Sequence, residues 1–177
     1  MADRGVPDFF HGEKNALPSK WLQVCLQTQK LHLFEQDACV ATYAVSTGAA
    51  GAGCEQNSGC TPTGWHVVRA RIGDGQPPGS VFVGRRPTGE IWTPELAERE
   101  AERDWILSRI LWLSGCEPGH NRLGDVDTMR RFIYIHGTPP DQPLGVPLSH
   151  GCIRMDMHEV IEVFDWTPVG TPVEIVP

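Results

Sequence analysis

The stretch Arg131–Met155, RFIYIHGTPPDQPLGVPLSHGCIRM, holds the clearest alternation in the chain and its densest set of reactive side chains. Its first six residues alternate: Phe132, Tyr134 and His136 share one face of a strand, Ile133 and Ile135 the other. His136 then closes a strand, where a side chain is held more rigidly than on a loop. Sixteen residues later comes Cys152, within Ser149-His150-Gly151-Cys152-Ile153-Arg154. A cysteine attacks a carbonyl as the thiolate. Its pKa of about 8.5 must therefore fall, or a base must take its proton. His136 and His150 are the candidate bases. Gly151 permits a tight turn that uncovers its own N–H and that of Cys152, two donors for an oxyanion. Arg154 puts a fixed charge near the thiol, suited to the thiolate or to a substrate carboxylate.

Outward from this stretch the pattern is mostly strand. Trp21–Phe34 alternates on both sides of a Gln-Thr-Gln turn, with Leu22, Val24 and Leu26 on one face and Leu31 and Leu33 following, so it predicts a β-hairpin. Ala38–Ser46 and Trp65–Ile72 read as strands, and Val81–Gly84 as a short one after the Gly73–Gly79 loop. Trp105–Leu113 is apolar enough for a buried strand, although its length also allows a helix. Pro94–Arg103 predicts a short surface helix. Asp156–Asp165 predicts a second helix, capped by Asp156 with Glu159 three residues on, and with Val160, Ile161, Val163 and Phe164 on its buried side. Pro172–Val176 is a last strand. With 19 Gly and 15 Pro among 177 residues, turns are frequent. The expected fold is a single, mostly β domain over 20–177, minor in helix, behind a polar leader at 1–19.

Composition narrows the function classes. The net charge of −7 opposes nucleic-acid binding, because a phosphate-neutralising face would fight the rest of the field. Arginines nevertheless bunch locally, at Arg69, Arg71, Arg85 and Arg86 and again at Arg130, Arg131 and Arg154. Such clusters suit carboxylates of a small ligand; the plainer reading is solvated strand edges. No run approaches the roughly 20 apolar residues that span a bilayer. The first residues lack the apolar segment of a signal peptide, so the expectation is a cytoplasmic protein if the chain is full length and a periplasmic one if it is trimmed. In a reducing compartment the six cysteines stay free. Cys25 and Cys39 then act as small hydrophobes, and Cys54 and Cys60 are the pair to bridge on export.

The string from His136 to Met155 resembles the signature of the L,D-transpeptidase catalytic domain, the YkuD family: HG, a loop, then S-x-G-C-[ILV]-[RN]. Thr61-Pro62-Thr63-Gly64 and Val45-Ser46-Thr47-Gly48 resemble two further motifs of that family, in the same order. The resemblance spans about 20–176. It implies a β-sandwich-like catalytic domain that cleaves peptidoglycan stem peptides between the L-centre of a diamino acid and a terminal D-residue, through a thioester on Cys152. It implies His136 as base and acid, with the Gly137 carbonyl orienting its ring. The amides of His150, Gly151 and Cys152 would form the oxyanion hole, and Arg154, Tyr134 and Ser149 would line the substrate. The implied partners are a stem tetrapeptide or muropeptide, with carbapenem-type inhibitors. No cofactor or metal is expected. An amine would resolve the thioester in a transpeptidase, water in an L,D-carboxypeptidase, and both stay open. Gly73–Leu113 is longer than the family pattern and is expected to form a lid or wall.

Two rival readings follow from the other residues. Cys116-x3-His120 with His150-x-Cys152 suggests zinc, but the paired knuckles of structural zinc sites are missing. A non-catalytic stem-peptide binding module is the other. His66 and His120 are candidates for the groove edge; His11, His32 and His158 are read as structural or exposed.

Overall fold

The computed structural model describes residues 19–177, so the leader and His11 lie outside the described residues. The hairpin forms as expected: β1 (Lys20–Cys25) pairs antiparallel with β2 (Lys30–Glu35), and β3 (Ala38–Ala44) adds to β2. Leu22, Val24, Leu31 and Leu33 face the core. The last strand, β10 (Pro172–Val176), inserts between β1, to which it is parallel, and β4 (Gly64–Ile72), to which it is antiparallel.

The hub is β7 (Ile106–Gly115). One edge carries β4 and β5 (Ser80–Val83), the other β8 (Tyr134–Thr138). Covered on both faces and both edges, it reads as a near-continuous apolar run. Leu111 and Leu113 point into the main core beside Val160, Val163 and Phe164 of α2 (Glu159–Trp166). Ile110 and Trp112 point to the opposite face, with Phe82 and Tyr134. β6 (Arg86–Ile91) caps β5 as a hairpin, and β9 (Ile153–Asp156) runs parallel to β8. All ten strands belong to one hydrogen-bonded sheet, which curls on itself.

Several local expectations change. The strand expected at Arg131 begins at Tyr134. Phe132 stands outside it with φ of 55° and is 49% exposed, so His136 is a mid-strand residue. α2 starts at Glu159, three residues late, yet Asp156 Oδ1 does accept the N–H groups of His158 and Glu159. α1 (Pro94–Arg99) is shorter than expected, is capped by the Thr93 hydroxyl and buries Leu96. β6 gave no periodic signal because most of its residues are exposed. Cys39 is exposed instead of packed. The Gly73–Leu113 stretch is not one insertion, since its last eight residues, Ile106–Leu113, belong to the hub strand.

Candidate active site

Two parallel strands place the candidate pair. In the β8–β9 ladder Ile135 faces Ile153 and His136 faces Arg154, so Cys152 comes beside Tyr134. His136 and Cys152 therefore lie on one sheet face, one register step apart on the diagonal. A bulge in β7 lies directly across from them. Leu107 pairs with Gly137 and Ile110 with His136, which leaves Ser108 and Arg109 looped out and Ser108 at φ of 67°. Bulges of this kind re-aim side chains next to sites. Gly137 lies so close to the bulge that a Cβ there would stand 2.5 Å from the Leu107 carbonyl oxygen.

The His136 ring is buried, and its Nδ1 lies 2.8 Å from the Gly137 carbonyl oxygen. A carbonyl only accepts, so the proton of the neutral ring sits on Nδ1 and Nε2 keeps its lone pair. Burial holds this imidazole below its usual pKa. The Gly137 carbonyl and Asp104 oppose that shift, and Arg154 adds to it. Burial also pushes the Cys152 thiol up to about 11, against the Tyr134 amide. Both groups thus rest neutral. Cys152 Sγ receives the Tyr134 N–H at 3.4 Å and donates to the Phe132 carbonyl at 3.4 Å; its bonds do not include His136.

The loop before Cys152 is braced from behind, and here the two upstream motifs acquire a physical role. Ser46 and Arg154 exchange backbone hydrogen bonds, and Thr47 and Ala49 bracket Ser149. The buried Thr61 hydroxyl accepts the Gly48 N–H at 2.8 Å and donates to the Gly151 carbonyl at 2.9 Å. Gly151 takes φ of +123°, and a Cβ there would meet the Cys60 carbonyl oxygen at 2.9 Å.

The structure gives the other candidate residues definite surroundings. Ser149 is buried: its Oγ donates to the Cys152 carbonyl and accepts the Gly151 N–H at 3.1 Å. That bond engages the Gly151 amide expected in the oxyanion hole. Arg154 is not a free cation but donates to Asp104 Oδ1 at 2.9 Å and to the Leu148 carbonyl at 3.5 Å. Tyr134 is buried; its backbone holds the thiol and its hydroxyl accepts from Arg85 at 2.9 Å. The His150 side chain is 86% exposed, 4.0 Å from Asp104.

Asp104, absent from the sequence reading, joins Arg154 to the loop before β7. The Gly73–Leu113 stretch thus supplies a wall. A cleft of about 220 Å³ opens between Asp104, Trp105, Gln142, His150 and Arg154, and shares residues with a larger one of about 690 Å³ lined by Trp92 and Trp105. His66 is no groove residue: it is fully buried between Gly64 and Thr128. His120 lies near Thr63 and Cys54.

A buried imidazole with a fixed tautomer and a thiol just ahead of the neighbouring strand form a candidate cysteine–histidine site on a curled sheet. Residues 19–175 match the family model of the L,D-transpeptidase catalytic domain, and the chain belongs to that family. It is 47% identical over 45 residues to the putative L,D-transpeptidase YqjB of Bacillus subtilis, covering 25% of this chain and 26% of that protein. It is 30% identical over 96 residues to the probable L,D-transpeptidase ErfK/SrfK of Salmonella typhimurium, covering 53% and 30%. The matched segments are thus less than a third of these relatives' length. Among solved structures, L,D-transpeptidase 3 from Mycobacterium tuberculosis, in complex with a faropenem-derived adduct, shares the fold. Its TM-score is 0.52 at 13% identity, covering 90% of this chain and 61% of that one.

Proposed function

We propose that this chain is a cysteine acyltransferase acting on the stem peptides of peptidoglycan. One observation carries the reading: the Gly137 carbonyl fixes the His136 proton on Nδ1, so Nε2 is a ready acceptor on the face that presents Cys152. Rotation about the Cys152 Cα–Cβ bond takes Sγ from the Phe132 carbonyl toward Nε2. The thiol proton passes to Nε2 as Sγ attacks the carbonyl of the diamino acid's L-centre. The imidazolium then protonates the departing amine, the D-amino acid leaves, and a thioester remains. An amine from a second stem attacks it, His136 takes that amine's proton, and a new amide forms as the thiol is restored. We assign the oxyanion to the amides of His150 and Cys152, each worth about 3 kcal/mol when well placed.

The test is incubation with a disaccharide-tetrapeptide and a mass reading of the products. A cross-linked dimer, or exchange of the terminal residue with added D-amino acid, is the expected result. Loss of D-alanine with gain of water instead makes water the resolving nucleophile and the protein a carboxypeptidase. The faropenem-derived adduct in the mycobacterial relative makes penems and carbapenems apt probes of the thiol. Neither product nor a β-lactam adduct on Cys152 would leave only a binding role.

A further inference from the structure

We propose that Arg85 and Arg69, held on Trp112, form a carboxylate site that selects stem peptides whose diamino acid side chain ends in a carboxylate. This deepens the stem-peptide reading and rests on it. Trp112, Tyr134 and Cys152 form one row across β7, β8 and β9: Trp112 pairs with Tyr134, whose amide donates to Sγ. Neighbouring strands are about 4.8 Å apart, so Trp112 is roughly 10 Å from the cysteine along the row. An extended diamino acid side chain, joined through its carbonyl to Sγ, spans that interval.

The far end of the row is cationic. Gly84 and Arg85, with φ of 53° and 65°, turn the β5–β6 hairpin so that Arg85 leans inward. A type I′ turn favours Asn or Gly at such positions, so an arginine there goes against backbone preference. Its guanidinium lies 4.7 Å from the Trp112 ring centre and 4.9 Å from Phe132, and donates to the Tyr134 hydroxyl. Arg69 stacks on the same Trp112 ring at 5.4 Å. Among the described residues neither arginine makes a salt bridge, although acidic residues outnumber basic ones 22 to 15. A carboxylate brought to this ring would take the guanidinium N–H groups that Tyr134 leaves free. Half-exposed Phe132 offers an apolar wall for the methylenes leading there. The competing account is a clasp, in which Arg85 merely holds the hairpin by its cation–π contacts.

Calorimetry on the Cys152→Ala protein separates the two without needing turnover. Three tetrapeptides differ only at the third residue: diaminopimelate, the same with its side-chain carboxylate amidated, and lysine. The free acid is expected to bind at least about tenfold tighter, the worth of one charge-assisted hydrogen bond. Arg85→Gln brings it to the level of the other two, and Arg69→Gln lowers its advantage in part. Arg85→Lys, which keeps the charge, retains part of the preference. Equal binding of all three, or a preference that survives Arg85→Gln, overturns the proposal. So does a uniform loss for all three in Arg85→Gln, which assigns Arg85 to the clasp. Wild-type turnover is read in parallel. No product from any peptide sinks the acyl-transfer reading, while the binding comparison still decides the carboxylate site.

Discussion

Burial acts on Cys152 and His136 in opposite directions on the pKa scale and toward the same charge state. Desolvation raises the thiol and lowers the imidazole, so both disfavour the thiolate–imidazolium pair. At rest the site holds a thiol and a neutral imidazole, and in the proposed reaction the proton moves only when the carbonyl is attacked. Two pH profiles follow. Alkylation of Cys152 by iodoacetamide, followed by peptide mapping, should be slow at pH 7 and still rising beyond pH 9, because the thiol titrates near 11. A pre-formed ion pair would instead give a rate already flat at neutral pH. Turnover needs neutral His136, whose pKa is lowered. Its acid limb should therefore fall below pH 6.5, with kcat/KM flat above it, and His136→Gln should remove turnover by at least about a hundredfold.

The elements around the pair give the two upstream motifs a role as a brace for the cysteine loop. Val45–Gly48 lies along the Cys152 loop, and Thr61 ties Gly48 to Gly151 through one hydroxyl. Thr61→Val keeps the shape but leaves a buried N–H and a buried carbonyl unpaired, a cost of roughly 2 kcal/mol. In a chain of this length that lowers Tm by about 4–8 °C. The same change should slow β-lactam acylation of Cys152 more than it slows binding, and Thr61→Ser should restore both. A Tm loss with normal acylation would separate the brace from the chemistry. This part of the site was legible only as strings of letters. The motif named the residues, but the hydrogen bonds that give them work cross 90 positions of sequence, from Thr61 to Gly151. Asp104 was illegible for a related reason. It follows an acidic and basic surface run, and only the fold carries it to Arg154.

At the scale of the molecule, the strands legible in advance were those with one clear apolar face or a continuous apolar run, such as β1, β2 and β7. The branching of β7 to three partners had no local signature, because it depends on a bulge that only the tertiary context demands. The sheet also carries a buried titratable group that periodicity passes over. His66 lies in β4 between Gly115 of β7 and Val173 of β10, fully buried. Burial pushes its pKa down to about 3 from 6.5, with smaller effects of His120 and Arg131 in the same direction and the Gly64 carbonyl opposing. The unfolded chain therefore binds a proton that the folded chain refuses. Stability contributed by neutral His66 is full above pH 6.5 and is lost progressively as pH falls toward 3. At pH 5 the loss from this residue is about 2 kcal/mol. His136, buried and lowered in the same direction, adds to it. Most carboxylates still hold their charge down to pH 5, so the window from 6.5 to 5 isolates the histidines. Urea unfolding at pH 7, 6 and 5 should show stability falling with acid in the wild type. In His66→Gln the fall should be shallower by about one proton's worth, 1.4 kcal/mol per pH unit. Identical slopes in the two proteins would mean that β4 admits the charged ring, and that the centre of the sheet is more open to water than its packing indicates.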